Sequence, residues 1–243
     1  MKCFIFFCVI WVQSLSVLAL VNGRPLSGRP DLVRLEFNDR DTNCSGFFVS
    51  PALIVTAAHC LYSWRDGGLA KLTGIISVNE KKLDLEVLEL IPHPNYEKGW
   101  ATHDVAVIKV SDHLAFEGNF LISDKHVPMF GFLIYFGAGK IDMEKKIYGR
   151  STGEASYLAL NSYIFGFGPS SASEKSEGSA SIASNDSGSP VIQKETGKVM
   201  AVASQSTAID SSGSFLPAIS ISSSLKEKSN RDFLLKYMPQ KSF

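Results

Sequence analysis

Three side chains that lie far apart in the sequence have the types needed for nucleophilic catalysis. His59 lies near the end of the run TAAHC, Asp104 opens the apolar run DVAVIKV, and Ser187 stands in the stretch SNDSGSP. A serine hydroxyl is a weak nucleophile at neutral pH and needs a base to take its proton during attack. An imidazole can be that base, and a carboxylate then fixes its tautomer and stabilises the imidazolium. Together the three residue types indicate acyl transfer through a covalent intermediate.

Each of these side chains has an ordinary structural explanation when it is taken alone. A single histidine near the end of a strand is more often structural or solvated than catalytic. An acid such as Asp104 at the start of a strand is commonly a turn or cap residue. Ser187 lies among many other serines. The hypothesis of a catalytic set therefore depends on the three residues occurring together, in the order His, Asp, Ser.

The elements that would position these residues are β-strands. Short apolar or alternating runs, rich in β-branched and aromatic residues, recur along the chain between Gly, Pro, Asn and Asp, and such runs predict strands. They cover residues 32–37, 47–50, 53–57, 71–78, 83–91, 104–110, 132–137, 156–167, 199–206 and 215–222. Because no long helical pattern separates them, we expect a sandwich or barrel rather than a parallel α/β sheet.

Two later segments differ from this pattern. Residues 169–189 are rich in serine and lack the apolar residues of a strand, so we predict a surface loop, with a disordered linker as the alternative. Residues 224–238 instead predict an amphipathic helix packed on the β body. Its apolar face is formed by Phe233, Leu234, Tyr237 and Met238.

The N-terminus has the pattern of a secretory signal. Lys2 precedes the apolar run CFIFFCVIWV, and the polar and small residues QSLSVLA follow it. We predict a signal peptide over residues 1–19, cleavage after Ala19, and a secreted or periplasmic protein. A membrane anchor is the alternative, although the apolar run is short for a span of about 20 residues.

The charge balance and the spacing of the histidines exclude several classes of partner. The chain has 24 basic and 24 acidic residues, so it has no excess charge for nucleic acid or an anionic membrane. We expect the remaining histidines, which show no metal-ligand spacing, to be surface or turn residues. They are His93, His103, His113 and His126. We therefore expect no metal, no cofactor, no nucleic acid, and no membrane contact after the signal is removed.

Cleavage of the signal would remove Cys3 and Cys8 and leave only Cys44 and Cys60. In an exported protein a lone pair of cysteines is best explained as one disulfide, with two unpaired thiols as the alternative. The bond would close a loop of about 15 residues and stabilise the fold by roughly 3 kcal/mol. It would also fix the turn that carries His59.

The chain resembles the chymotrypsin/trypsin family of serine endopeptidases. The resemblance rests on TAAHC (56–60), HPNY (93–96), DVAVIKV (104–110) and DSGSP (186–190), and the interval of 45 residues from His59 to Asp104 is typical of the family. It implies an all-β fold of two six-stranded antiparallel β-barrels with the site in the cleft between them, and a C-terminal helix. Residues 20–243 would form one protease domain, with subdomains at roughly 20–120 and 121–222. We expect a monomer that acts on a protein or peptide substrate.

The resemblance also implies roles for the residues beside the nucleophile. Asp186 would pair with the α-amino group of a processed N-terminus, and the stretch LVNG directly after Ala19 makes Leu20 the candidate. The backbone N–H groups of Asn185 and Ser187 would form the oxyanion hole. The family prefers glycine at position 185, but Asn tolerates unusual backbone angles better than most residues.

By counting from the nucleophile, the resemblance places the floor of the substrate pocket at Ser181, with Ile182 beside it. Ser204 would offer its backbone to the substrate, and Ser206 and Ser214 would narrow the pocket. Because the floor is not acidic, we expect cleavage after a small or medium apolar residue rather than after Arg or Lys. The GSP sequence at 188–190 also occurs in glutamyl endopeptidases of the staphylococcal V8 type. The strand AVASQS (201–206), which would form the wall of the substrate pocket, however carries no histidine that could bind a glutamate side chain of the substrate.

A second interpretation remains open on the same residues. The chain would then be a catalytically weak or inactive binding protein with a protease fold. This alternative is left open by Asn185, by the absence of the family's other disulfides, and by Asn22 of LVNG, which stands where the family has glycine. The intact set of His59, Asp104 and Ser187 favours the enzyme.

Overall fold

The structure is a computed structural model. It describes residues 20, 23–26, 28–38, 43–63, 65–76, 82–111, 120–123, 127–142, 147–148, 151–168, 180–183, 185–207 and 218–238. Among these residues, no helix has the length and apolar composition needed to span a bilayer. The predicted signal peptide lies outside the described residues.

The described chain contains fifteen strands and one α-helix. In chain order they are β1 (Arg24–Pro25), β2 (Leu32–Phe37), β3 (Cys44–Ser50), β4 (Leu53–Thr56), β5 (Leu72–Ile76), β6 (Val87–Pro92), β7 (Ala106–Val110), β8 (Phe130–Gly137), β9 (Lys140–Asp142), β10 (Ile147–Tyr148), β11 (Ser151–Leu160), β12 (Tyr163–Gly168), β13 (Pro190–Gln193), β14 (Val199–Thr207), β15 (Ala218–Ser224) and α1 (Lys228–Tyr237).

The first sheet contains six antiparallel strands in the order β5-β2-β3-β4-β7-β6. Its inner strands β4 and β7 are almost continuously apolar, and every residue of β4 is buried. Leu53–Thr56 pairs with β7 in an unbroken register from Leu53↔Lys109 to Thr56↔Ala106. This pairing matters for the site because His59 follows β4 and Asp104 precedes β7.

The second sheet closes into a barrel. Six strands follow one another in the order β11-β12-β15-β14-β13-β8, and β8 pairs back onto β11 along eight residues. The short strand β1 extends β11 on the outside of this ring. The prediction of two antiparallel six-stranded units is confirmed. The first unit is a half-barrel, because no ladder joins β5 to β6 in the described part of the chain.

The C-terminal helix is confirmed, but it is shorter than predicted. Residues up to Ser224 continue β15, and α1 begins at Lys228, where the Glu227 side chain accepts the backbone N–H of Asn230. Phe233 and Leu234 are buried on the helix, as the apolar spacing predicts.

The prediction of a surface loop over residues 169–189 is wrong at its described end. Residues 180–182 and 185–186 are buried, and Ser189 is only 2% exposed. Polar composition was misleading here because internal hydrogen bonds satisfy several of these groups; the Ser220 hydroxyl, for example, accepts the backbone N–H of Ile182.

The strand predicted over 156–167 is in fact two strands, β11 and β12. They are joined by a turn at Asn161, which adopts φ 47°. The predicted boundary between subdomains near residue 120 stays a prediction.

Candidate active site

His59 lies in a single 3-10 turn, Ala58–Leu61, that follows β4. Cys60, in the same turn, is disulfide-bonded to Cys44 at the start of β3, which confirms the predicted disulfide. Cys44, His59 and Cys60 are also the described residues closest to a metal-ligand cluster. Because both sulfurs are in the disulfide, this cluster does not offer thiolates to a metal.

The Asp104 carboxylate holds the His59 imidazole from one side. Asp104 is 1% exposed, and its Oδ2 lies 2.6 Å from His59 Nδ1. Its Oδ1 accepts the backbone N–H of His59 at 2.7 Å. The Ser204 hydroxyl donates a further hydrogen bond to Oδ2. The carboxylate therefore fixes both the backbone and the ring of the candidate base.

These contacts determine the charge of Asp104. Burial raises the pKa of its carboxyl group, but the nearby His59 and the hydrogen bonds from His59 and Ser204 outweigh burial, so the pKa lies below its ordinary value. Asp104 is thus ionised at neutral pH. An ionised partner at Nδ1 requires the proton on that nitrogen, which leaves Nε2 as the basic nitrogen of the ring.

Ser187 lies on the turn that leads into β13. Its hydroxyl donates to the carbonyl oxygen of Ser204 at 3.1 Å, and its own carbonyl accepts the Ser45 N–H at 2.8 Å. The Cys60 sulfur lies 3.7 Å from His59 Nε2 and 3.7 Å from the Ser187 carbonyl oxygen. The structure thus brings the His59 turn and the Ser187 turn together.

Gly188 explains why a glycine follows the serine. It adopts φ 89°, and an added Cβ would stand 2.1 Å from the Ser45 carbonyl oxygen and 2.2 Å from Thr56 Oγ1. The turn that carries Ser187, called the nucleophile turn below because Ser187 is the candidate nucleophile, is therefore packed directly against strands β3 and β4. Any larger residue would push Ser187 away from His59.

Asn185 has a backbone conformation that explains its residue type. Its φ is 74°, in the left-handed region that Asn enters more easily than other non-glycine residues. The side-chain Oδ1 accepts the Asn43 N–H at 2.7 Å, and the backbone carbonyl accepts the Ser45 hydroxyl at 2.9 Å. Asn185 thus ties the nucleophile turn to the start of β3. Ser189 is different, since its buried hydroxyl has no partner among the described residues and nothing in the structure explains it.

Asp186 is fully buried and has no ion pair within the described chain. Its carboxylate accepts backbone N–H groups from Ala183 at 3.0 Å and Gly139 at 3.3 Å. Burial raises the pKa of this group well above its ordinary value, and the two hydrogen bonds only partly oppose this effect. The carboxylate also rests against Gly137, where an added Cβ would lie 2.4 Å from Oδ1.

Leu20, which still follows Ala19 in this unprocessed chain, contacts the strand pair that supports this carboxylate. Leu20 is fully buried, and its backbone N–H donates to the Ser151 hydroxyl at 2.9 Å. Ser151 is the β-sheet partner of Gly137, on which the Asp186 carboxylate rests. The predicted pair of Leu20 and Asp186 is therefore separated by one pair of strand residues, with no direct contact recorded between them.

A cavity of about 730 Å³ opens beside the candidate catalytic residues. His59, Ser187, Ser204 and Ser206 line it, together with the stacked rings of Tyr62 and Tyr96, whose centroids lie 5.6 Å apart. Sequence reasoning missed both tyrosines as site residues, although Tyr96 belongs to the HPNY motif. It also missed the hydroxyl of Ser204, for which only a backbone role was predicted.

Two other predicted pocket residues, Ser181 and Ile182, do not line this cavity. Ser181 is fully buried and Ile182 is 3% exposed, within the core of the second barrel. Ser214 lies outside the described residues. His93, predicted at a surface or turn, does begin a turn but is 2% exposed, and its ring stacks on His103 at 4.7 Å.

Sequence comparison detects the first half of the chain. A family model described as Trypsin matches residues 21–122. Mast cell protease 8 of Mus musculus is 31% identical over 87 residues, which are 34% of this chain and 33% of that protein. A venom serine protease of Polistes dominula is 25% identical over 107 residues, 40% of this chain and 38% of that protein. The chain thus matches between a third and two fifths of the length of these relatives.

Structural comparison covers nearly the whole chain. A solved structure of a Glu endopeptidase in complex with MPD superposes with a TM-score of 0.67 at 13% identity. The match covers 90% of this chain and 98% of that one. At this identity the likeness establishes the fold alone, and that fold includes the second barrel.

Proposed function

Because the chain belongs to the chymotrypsin/trypsin-like family of serine peptidases (peptidase S1), we propose that it is a secreted serine endopeptidase. Ser187 is the nucleophile, and His59 is the general base and acid. Asp104 orients His59 and stabilises its imidazolium form. The single observation that carries this proposal is the double contact of the Asp104 carboxylate with the backbone and the ring of His59.

In the proposed reaction, Ser187 Oγ attacks the carbonyl carbon of the scissile peptide bond while His59 Nε2 takes the hydroxyl proton. The ionised Asp104 stabilises the imidazolium that forms. His59 then gives this proton to the leaving amine, and the C–N bond breaks to leave an acyl-enzyme on Ser187. A water molecule, deprotonated by His59, attacks the ester, and the proton returns to Ser187 Oγ as the acid product leaves.

The developing oxyanion is bound by the backbone N–H groups of Asn185 and Ser187. Such donors act in place of water and need no reorganisation during the reaction. The left-handed conformation of Asn185 supports this role, since a residue there must adopt a positive φ for the turn to close onto β3.

Maturation would complete the nucleophile side of the site. We propose that removal of residues 1–19 exposes the α-amino group of Leu20, which then pairs with Asp186. A carboxylate buried without a cation is costly, and a charged amine beside it offsets that cost. Leu20 already contacts Ser151, the strand partner of Gly137, on which the Asp186 carboxylate rests. This supports the proposal that the freed amino group of Leu20 needs only a short movement to reach Asp186.

The proposed substrate is a protein or peptide with a small or medium apolar residue before the cleaved bond. No acidic side chain lines the described part of this cavity, which supports this preference over Arg or Lys. A glutamate is not favoured, because β14 carries no histidine that could bind it. The rings of Tyr62 and Tyr96 add apolar surface on the side of the cavity next to His59.

Reaction with a fluorophosphonate probe tests the proposal, because such a probe modifies only an activated serine. The protein starting at Leu20 should react once per chain, and Ser187→Ala should not react at all. His59→Ala is the matched control, since it keeps the serine but removes its base. No reaction by the wild-type protein in any processed form would instead favour the binding protein. A peptide-library digest then reads the residue preference.

A further inference from the structure

Asn230 is a fully buried amide on the otherwise apolar inner face of α1. The other buried residues of this helix are Phe233 and Leu234. An amide that leaves water loses free energy unless its donors and acceptor find partners. Asn230 therefore needs a reason to stand where an apolar residue would pack at lower cost.

The side chain of Asn230 is saturated with partners from two other segments. The two N–H groups of its Nδ2 are shared among three acceptors, the Thr102 carbonyl at 2.9 Å, the Ser224 carbonyl at 2.9 Å and the Ser223 hydroxyl at 3.1 Å. Its Oδ1 lies 3.3 Å from Nδ1 of His103. One amide thus joins α1 and the end of β15 to the residues directly before Asp104.

Those residues set the position of the catalytic acid. Thr102 and His103 lead without interruption into Asp104, whose carboxylate must reach two nitrogens of His59 at 2.6 and 2.7 Å. The Thr102 carbonyl accepts one further bond, from the Ser223 hydroxyl at 3.1 Å, and that hydroxyl is itself bound to Asn230. Among the described residues, the Thr102 carbonyl therefore has two donors, Asn230 itself and a Ser223 hydroxyl that is bound to Asn230.

We propose that Asn230 is a positioning residue for Asp104 and, through it, for the base His59. It contacts no reacting atom. It holds the peptide before Asp104 so that the carboxylate meets both His59 nitrogens. This inference deepens the proposed function and rests on it.

The test compares Asn230→Leu with Leu234→Ala in the chain that starts at Leu20. Asn230→Leu keeps a branched side chain with the same number of heavy atoms but removes the contacts of the amide with Thr102 and His103. Its kcat on a peptide substrate should fall about 10-fold with KM within about twofold, since a small misplacement of a catalytic group slows the chemical step. Leu234→Ala opens a cavity on the same helix face and should lower the melting temperature while kcat stays at the wild-type value.

A proton NMR signal separates this inference from the proposed function. The His59 Nδ1 proton, hydrogen-bonded to Asp104, should resonate far downfield in the wild type and in Leu234→Ala, and should shift or broaden in Asn230→Leu. Wild-type protein without turnover but with this behaviour would overturn the proposed endopeptidase and leave the positioning role intact.

Two outcomes would overturn the positioning role. One is an unchanged kcat and an unchanged His59 signal in Asn230→Leu. The other is an equal loss of kcat in Leu234→Ala, which would make the effect one of stability alone. If Asn230→Leu does not fold, Ser223→Ala replaces it, with the same change in the His59 signal and a loss of kcat of about threefold. An unchanged signal there would overturn the role too.

Discussion

The two halves of the candidate catalytic site are built differently. The first sheet presents His59 and Asp104 with their polar contacts complete, and a disulfide fixes the turn that carries the base. The second barrel presents Ser187 next to Asp186, a buried carboxylate without a cationic partner among the described residues. The same half contains several buried hydroxyls that have no hydrogen-bond partner among the described residues, namely those of Tyr157, Ser189, Ser206 and Ser222.

In our proposal, this difference separates the part of the site that forms on folding from the part that forms only after processing. The base and acid need the pairing of β4 with β7, the contact to Ser204 and, in our proposal, the contacts of Asn230 with Thr102 and His103. In the proposed mechanism, the turn that carries Ser187 needs a positive charge at Asp186, which the α-amino group of Leu20 would supply after processing. The same division appears in the sequence, since the Trypsin family model matches residues 21–122, within the first half, while the fold extends over both.

The largest expected effect tests the completed half. Asp104→Asn should lower kcat by about 10⁴-fold, because an amide does not stabilise the imidazolium and favours the wrong tautomer of His59. Steady-state kinetics on a peptide substrate measures this loss. Ser204→Ala is the matched control, because it removes one donor to Asp104 but keeps its charge, and its loss should be far smaller. Equal losses would contradict the role of the carboxylate.

Asp186→Asn tests the half of the site that contains Ser187. Its effect on the free energy of unfolding should change sign with processing. In the chain that starts at Leu20 it should cost about 3–5 kcal/mol of stability, because it leaves a buried ammonium unpaired. In the unprocessed chain it should instead stabilise the fold at neutral pH, since it removes a buried carboxylate. Denaturant unfolding of both forms measures the two values. The same sign in both forms would contradict the proposed pair.

The raised pKa of Asp186 gives the unprocessed chain a distinct pH dependence. The folded state holds the carboxyl proton more tightly than the unfolded state, where the pKa is about 3.9. The contribution of Asp186 to stability should therefore be complete below about pH 4 and should be lost as pH rises through the folded pKa. This fall should be absent in Asp186→Asn, and urea titrations at several pH values would detect it. A fall of equal size in the variant would assign it to another group.

Loss of the disulfide should have an intermediate effect on the first half. Replacing both Cys44 and Cys60 by alanine should cost about 3 kcal/mol, the entropy of closing a loop of this size. Because the bond holds the His59 turn, kcat should fall as well. Reduction of the wild type followed by alkylation should reproduce both effects. A variant with unchanged kcat would show that β4 alone positions His59.

The smallest expected effect concerns Asn185. Because its φ is 74°, Asn185→Ala should cost about 1–2 kcal/mol, whereas Asn185→Gly should not strain the backbone. Both variants lose the side-chain bond to the Asn43 N–H, so their difference reports the backbone alone. Thermal unfolding measures it, and equal stabilities would contradict the assigned strain.

Sequence reasoning could find the parts of the site that are encoded locally. TAAHC, DVAVIKV and DSGSP carry His59, Asp104 and Ser187 in short motifs, and strand spacing predicts the β architecture. The contacts of Asn230 with Thr102 and of Ser204 with Asp104 join residues more than ninety positions apart, and no local pattern marks them. The surface loop predicted over 169–189 is wrong at its described end, because Ser181 and Ser189 are buried by long-range packing that composition does not report.

The most direct test of the account is the rate of fluorophosphonate labelling of one chain before and after Leu20 becomes its N-terminus. The account predicts one label per molecule, on Ser187, and at least about 100-fold faster labelling once Leu20 is free, since an ordered oxyanion hole contributes about that factor. Equal labelling rates in the two forms would contradict the proposed division between a completed and an incomplete half. No label on Ser187 in either form would contradict the proposed enzyme itself.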